Sequence, residues 1–206
     1  PFADLKRIDA SGIPPFYNSL AAIGQGYGLY FKQRLVPFGE YIPFEALLRN
    51  TIPFFSRDMS SFSAGTAEQM PLMVRDYRAG AAICYEVAYP ELTRRNARNA
   101  DFLITVSNDG WFGHSIGPDQ HLQMVRMRSL ENGKWFVRAT NNGISAIINQ
   151  DGKLVATAPQ IKRTVLRRRV YRTSGQTPYL RFGYAPVMGL CVLMLGLGVW
   201  RGKKAA

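Results

Sequence analysis

Cysteine and histidine, the side chains that most often carry covalent chemistry, are scarce: the 206-residue chain has two of each. Cys191 lies inside an apolar C-terminal stretch, far in character from the setting of Cys84, so no disulfide between them is expected. Such usage leaves the redox compartment open. His114 falls in the glycine-rich loop 113–117 and His121 near the start of a helical pattern. Neither makes a persuasive Cys–His pair, each reads as a structural or loop residue, and no metal-ligand set is expected. Acid is scarce as well, 14 Asp+Glu against 26 Lys+Arg, a net charge of +12. That excess suits an anionic partner, nucleic acid or an acidic membrane surface. No nucleic-acid recognition motif accompanies it, and nucleic acid is not an expected partner. There is no internal repeat. The chain opens Pro1-Phe2-Ala3-Asp4 with neither a Met nor a basic-then-apolar leader, so a segment of a longer protein is expected.

What is present suffices for one good-sized globular domain, since 47% of the residues are hydrophobic. Residues 17–23 (YNSLAAI) read as a strand and 24–28 as its turn. Residues 29–31 begin an extended piece that runs on through 32–43, where two prolines and a glycine predict an ordered loop. A short helix is expected over 45–50 and irregular structure over 52–68. An apolar strand over 79–83, a helix over 90–99 (PELTRRNARN) and a buried strand over 102–106 (FLITV) make a βαβ unit. A helix follows over 121–132, with Leu122, Val125 and Leu130 near one face and Arg126, Arg128 and Glu131 elsewhere. Strands over 135–139 and 144–149 precede a tight turn at 150–153 and a strand over 154–157. The fold class is α/β with a strand-rich C-terminal half.

Residues 182–200 (FGYAPVMGLCVLMLGLGVW) carry no charge, and Arg201, Lys203 and Lys204 follow. A run of about 20 apolar residues is the length of a membrane crossing. Its flanking cations and terminal Trp200 favour that reading over a buried terminal helix. Seven cations lie within 162–181 and three after the run, so charge counting alone leaves the domain's side of the membrane open.

The stretch 80–91, GAAICYEVAYPE, sets Cys84 where an apolar run meets a polar turn. A free cysteine is commonly a small core residue, whereas a strand-to-helix turn is also where enzymes expose a nucleophile. Attack by sulfur on a carbonyl needs a thiolate, a base and donors for the oxyanion. Cys84 offers the sulfur and the Tyr85 N–H a donor. Lys32 suits stabilisation of negative charge, and Glu40 and Glu86 suit orientation of the lysine or the base.

Together YFKQRLVPFGEYIP (30–43), ICYEVAYPEL (83–92), SNDGWFG (107–113) and NNGISAIINQDGKL (141–154) resemble the carbon–nitrogen hydrolase (nitrilase) superfamily. With TPYLRFG (177–183) ahead of a terminal apolar run, the chain is similar to a membrane-bound branch of it, the lipoprotein N-acyltransferases. The resemblance implies a nitrilase-like αββα sandwich, incomplete at its N-terminal side, over 1–172. A linker (173–181), a transmembrane helix (182–200) and a short basic tail (201–206) would follow. It further implies Cys84 as nucleophile, Lys32 as the triad lysine, Glu40 and Glu86 as accessory carboxylates and Tyr85 beside the oxyanion. The triad's glutamate base has no match before Lys32, where Asp4 and Asp9 are the only acids.

The implied reaction needs no cofactor. A phospholipid donates an acyl chain to Cys84, and the amine of a diacylglyceryl-cysteine apolipoprotein accepts it, at a bacterial inner membrane and on its periplasmic side. Trp111 and Phe112, with Phe44, Phe54, Phe55 and Phe62, would touch lipid, although each suits an ordinary core equally. The cationic strip 162–172 would attract anionic headgroups, or is simply solvated. The rival readings are a soluble amidase or nitrilase acting on a small amide, against which the apolar run argues, and an inactive membrane-anchored binding module.

Overall fold

The computed structural model describes residues 2–4, 14–44 and 62–205. The helix expected over 45–50, most of the irregular segment 52–68, and Asp9, Phe54 and Phe55 lie outside the described residues.

Five short strands come first: β1 (Phe2–Ala3), β2 (Phe16–Tyr17), β3 (Ser19–Ala21), β4 (Gly26–Tyr27) and β5 (Leu29–Phe31). Then come β6 (Leu72–Val74), β7 (Tyr77–Ile83), α1 (Pro90–Ala97), β8 (Phe102–Ser107), α2 (Gly117–Asn132) and β9 (Phe136–Thr140). The strands β10 (Ala146–Ile148) and β11 (Leu154–Thr157) and the helices α3 (Pro178–Phe182) and α4 (Ala185–Ala205) complete the described chain. One seven-stranded sheet runs in the order β11-β10-β9-β8-β7-β6-β4, with β7, β8 and β9 parallel and the outer pairings antiparallel. The pairs β1-β2 and β3-β5 form separate two-stranded ribbons.

Alternation along the parallel strands sorts their side chains into two cores. Ala82, Leu103, Phe136, Ala146 and Ile148 face a core shared with Val87 and Ala97 from around α1 and with Leu122 and Val125 of α2. Ala79, Ala81 and Ile83 face the opposite core with Tyr30, Leu72, Phe102, Ile104 and Val106. Helices thus cover one face of the sheet, and the β3-β5 ribbon packs on the other. Gly80 lets α1 settle closely, because a Cβ there would sit 2.5 Å from the Asn96 carbonyl oxygen and 2.8 Å from Leu103. The parallel strands end together on one edge, where ligands bind in open α/β sheets.

Several local readings shift. The strand expected over 17–23 is broken at Asn18, whose carbonyl accepts the Lys32 N–H at 2.8 Å and whose amide turns to Glu40. β6, not foreseen, forms a hairpin with β7. On α2, Leu122 and Val125 are buried as expected, but Leu130 is exposed and Arg128 is buried. The loop 32–43 is irregular and ordered, held by the N–H of Phe38 on the Tyr41 carbonyl and that of Glu40 on the Val36 carbonyl.

Within 173–181, expected as a linker, α3 is a structured turn of helix. Thr177 caps it by accepting the Leu180 N–H at 3.0 Å, and Pro178 suits the first helical position. Leu180 is buried in the helix-side core, and its carbonyl accepts Arg94 Nη1 at 3.0 Å. The chain then turns at Gly183 (φ +61°) into α4. Residues Ala185–Gly202 of α4 are long and apolar enough to cross a membrane, and none is buried.

Candidate active site

β7 delivers Cys84 to the sheet's C-terminal edge, and the chain turns there into a short 3-10 segment, Cys84–Ala88. Cys84 has φ +53°, a left-handed conformation uncommon outside glycine. Such strain persists only where the surroundings over-determine it. Here Glu86, fully buried, does part of this. Its carboxylate accepts the N–H groups of Ile83 (2.7 Å), Gln33 (2.6 Å) and Arg34 (3.0 Å) and the Tyr30 hydroxyl (3.0 Å). One side chain therefore ties the elbow to the loop that follows Lys32. Burial pushes the Glu86 carboxyl up, against the pull of its four donors, and burial likewise raises Tyr30.

Lys32 is 1% exposed and donates from Nζ to Glu40 Oε1 at 2.8 Å. Glu40 also accepts the Val36 N–H at 2.8 Å and the Asn18 amide. With donors on both oxygens, Glu40 is fixed as the lysine's counter-ion, and neither it nor Glu86 has an oxygen free of donors.

Cys84 and Lys32 line one cavity of about 920 Å³. Val36, Phe62, Ile83, Val106, Trp111 and Phe112 give it largely apolar walls, and Glu40, Tyr85 and Asn108 also line it. The structure thus brings together the residues singled out in the sequence: Cys84, Lys32, Glu40, Tyr85, Trp111 and Phe112 on the cavity, with Glu86 buried behind the elbow. Trp111 is 81% exposed, and Tyr85 packs edge-on against Tyr89, ring centroids 5.5 Å apart. Phe44, also exposed, does not line the cavity.

The sequence reading missed a second layer beneath the elbow. His121, read as a helix opener, is 4% exposed, with Nε2 3.1 Å from the Cys84 carbonyl oxygen and Nδ1 3.0 Å from Asp109 Oδ1. Asp109 also accepts the Ser107 hydroxyl at 2.6 Å and Arg138 Nη2 at 2.5 Å. Burial opposes the charged Asp109 carboxylate, but His121, Ser107 and Arg138 outweigh it and hold its carboxyl below the usual range. Burial pulls Arg138 down, countered by Asp109 and by the nearby Cys84. Of the available signals, only Ser107 and Asp109, both in SNDGWFG, lay in a quoted motif. Arg138 alternates onto the helix-facing side of β9, where an arginine needs a buried partner, and that partner lies 29 residues away in sequence.

The carbon–nitrogen hydrolase family model matches residues 6–178. The chain belongs to the carbon–nitrogen hydrolase family. Its seven-stranded sheet, helix-covered on one face and ribbon-covered on the other, is the nitrilase-like α/β fold seen in part. Among curated relatives of this carbon–nitrogen hydrolase chain, an apolipoprotein N-acyltransferase of Azotobacter vinelandii is 48% identical over 199 residues, 97% of this chain and 39% of that protein. One of Pasteurella multocida is 53% identical over 167 residues, 81% of this chain and 32% of that protein. The chain thus spans well under half the length of the relatives it matches. Among solved structures, the C. elegans NitFhit protein aligns with 74% of this chain and 34% of its own, at 23% identity and a TM-score of 0.49.

Proposed function

We propose that the protein is an apolipoprotein N-acyltransferase acting through a thioester on Cys84. The observation that carries this reading is the largely apolar cavity of about 920 Å³ shared by the Cys84 thiol and the buried Lys32 ammonium. The exposed, membrane-length α4 adjoining the domain and the names of the relatives support it further. A soluble hydrolase of small amides has no use for such a helix.

In the first step the Cys84 sulfur attacks an ester carbonyl of a glycerophospholipid. The C–S bond forms and the carbonyl π pair moves to oxygen, beside the Lys32 cation and the Tyr85 N–H. Collapse breaks the ester C–O bond, and the departing lysophospholipid oxygen takes the proton that left the thiol. The resemblance assigns the relay of that proton to a glutamate upstream of Lys32 that has no match in these 206 residues, while Glu40 and Glu86 carry donors on both oxygens. In the second step the α-amino group of a diacylglyceryl-cysteine apolipoprotein attacks the thioester. The C–N bond forms, the C–S bond breaks, the thiolate is regained and the amine proton passes to the base. Apolar walls that include Trp111 and Phe112 hold the acyl chain and keep water from the thioester in the interval. The setting is the bacterial inner membrane, crossed more than once by the intact protein, with this domain on the periplasmic side.

The test is mass spectrometry of the intact protein incubated with phospholipid micelles. A hydroxylamine-sensitive acyl adduct on Cys84 is expected in the wild type and absent in a folded Cys84→Ser variant. An adduct retained by Cys84→Ser in thiol-ester-sensitive form refutes the assignment.

A further inference from the structure

The peptide that joins Cys84 to Tyr85 is planar and trans, so its C=O and N–H point in opposite directions. His121 holds the carbonyl end of that unit from the helix side of the elbow, at 3.1 Å through Nε2. The other end is the Tyr85 N–H, in the first turn of the 3-10 segment, where backbone donors have no acceptor within the helix. Rotation of this one peptide would turn that donor away from the carbonyl under attack. The left-handed φ of Cys84 makes the unit strained, so it needs an external hold on its carbonyl.

We infer that His121, fixed by Asp109 and Arg138, is a positioning residue that aims the Tyr85 N–H at the oxyanion formed on acylation of Cys84. The inference rests on reading Cys84 as the acyl-accepting nucleophile. Nε2 meets a carbonyl oxygen, which only accepts, so it donates there. Asp109 Oδ1 and Arg138 Nη2, at 3.0 and 3.3 Å from Nδ1, fix the ring's rotation. Phe112, edge-on at a ring-centroid distance of 5.9 Å, closes the imidazole's remaining side. Donation into the Cys84 carbonyl also polarises its peptide and strengthens the Tyr85 N–H as a donor, as in any hydrogen-bonded chain. The buried ion pair alone would explain packing. It would not explain why the cluster's histidine meets the nucleophile's own carbonyl.

Two substitutions separate aiming from packing. In His121→Asn the shorter amide reaches only as far as Nδ1, so it keeps a partner for Asp109 and loses the donor to Cys84. In His121→Gln the amide N–H reaches the Nε2 position. Each is measured in the intact protein for acylation of Cys84 by phospholipid micelles, for acylation by a p-nitrophenyl fatty ester, and for alkylation by iodoacetamide, with thermal stability alongside. Displacement of iodide develops no oxyanion, so alkylation reports the thiol alone. The expected result for His121→Asn is a loss of about 100-fold in both acylation rates, the size of losing one oxyanion donor. Alkylation should stay at the wild-type rate, and His121→Gln should recover most of the acylation. Wild-type acylation in His121→Asn, or alkylation falling in step with acylation, overturns the inference. A wild type that takes acyl groups from the nitrophenyl ester and not from phospholipid rejects the lipid reading and leaves this one to be decided by the same variants.

Discussion

An ammonium buried as deeply as that of Lys32 is costly unless paired, and Glu40 is the pairing. On the proposed function, the pair's position on the wall that carries Cys84 gives it a use beyond stability. Lys32→Ala in the intact protein is expected to slow Cys84 acylation about 100-fold or more, by analogy with loss of an oxyanion donor. Lys32→Arg keeps the charge but changes its shape and reach, so it should recover only part of the rate. Near-normal acylation in a stable Lys32→Ala protein would reduce the residue to a bystander. Asp109 allows a pH prediction at the same scale. Its folded carboxyl titrates below the ordinary value of 3.8, so its contribution is present above that value and lost as pH falls through the lowered one. Asp109→Asn should therefore be less stable than wild type near neutrality, and the gap should close on acidification below about pH 4. Thermal unfolding of both proteins between pH 3 and 7 checks the sign, and a gap that widens in acid contradicts it.

At the scale of elements, the elbow is a junction between the end of β7 and the loop 32–43, and Glu86 is the joint. Glu86→Gln puts an amide NH₂ against N–H groups that now find an oxygen, leaving at least one buried donor unpaired. A loss of about 2–4 kcal/mol is expected, read as a lower midpoint in denaturant, with acylation falling too. An unchanged midpoint would mean the loop is held otherwise. Gly143 gives a second handle, since a Cβ there would overlap the Asp109 carboxylate. Gly143→Ala should disturb the His121 cluster from the β9-β10 turn, whose Ile144 carbonyl accepts Arg138 Nε at 3.1 Å. Much of this was legible in the sequence. The parallel strands are apolar runs bounded by turn residues, and the short motifs around Lys32 and Cys84 name their own positions. The ribbon was less legible because Asn18 breaks its period to serve Lys32 and Glu40. The His121 cluster was legible only in the Ser107 and Asp109 of SNDGWFG, because its members come from the end of β8, the 3-10 turn Asp109–Phe112, α2 and β9, which meet only when the sheet is assembled.

For the whole molecule, the question is how the domain meets a membrane. α3 roots α4 in the helix layer: Arg94 holds the Leu180 carbonyl, Thr177 donates to the Glu131 carbonyl, and Lys134 donates to the Thr173 carbonyl at 3.0 Å. The start of the apolar helix therefore shares the domain's frame, and the side on which the domain lies follows from the direction of α4. Seven cations precede the apolar run and three follow it, which by count alone would draw the domain into the cytoplasm. On the proposed function that count misleads, because the positive-inside rule holds for short segments, while long domains cross largely regardless of charge. The strip 162–172 is attached to a folded domain, whereas Arg201, Lys203 and Lys204 directly follow the apolar run. Of these, Lys204 sits 4.0 Å over the Trp200 ring, an aromatic–cation pair suited to a membrane–water interface. On the proposed function, residues 201–206 are the segment the rule governs, and the prediction is that they lie on the cytoplasmic side with the domain opposite. A reporter fused after Ala206 that works only in the periplasm is expected to be silent, and one that works only in the cytoplasm to be active. The reverse pattern would place the domain in the cytoplasm and return the strip 162–172 to the role of topological anchor.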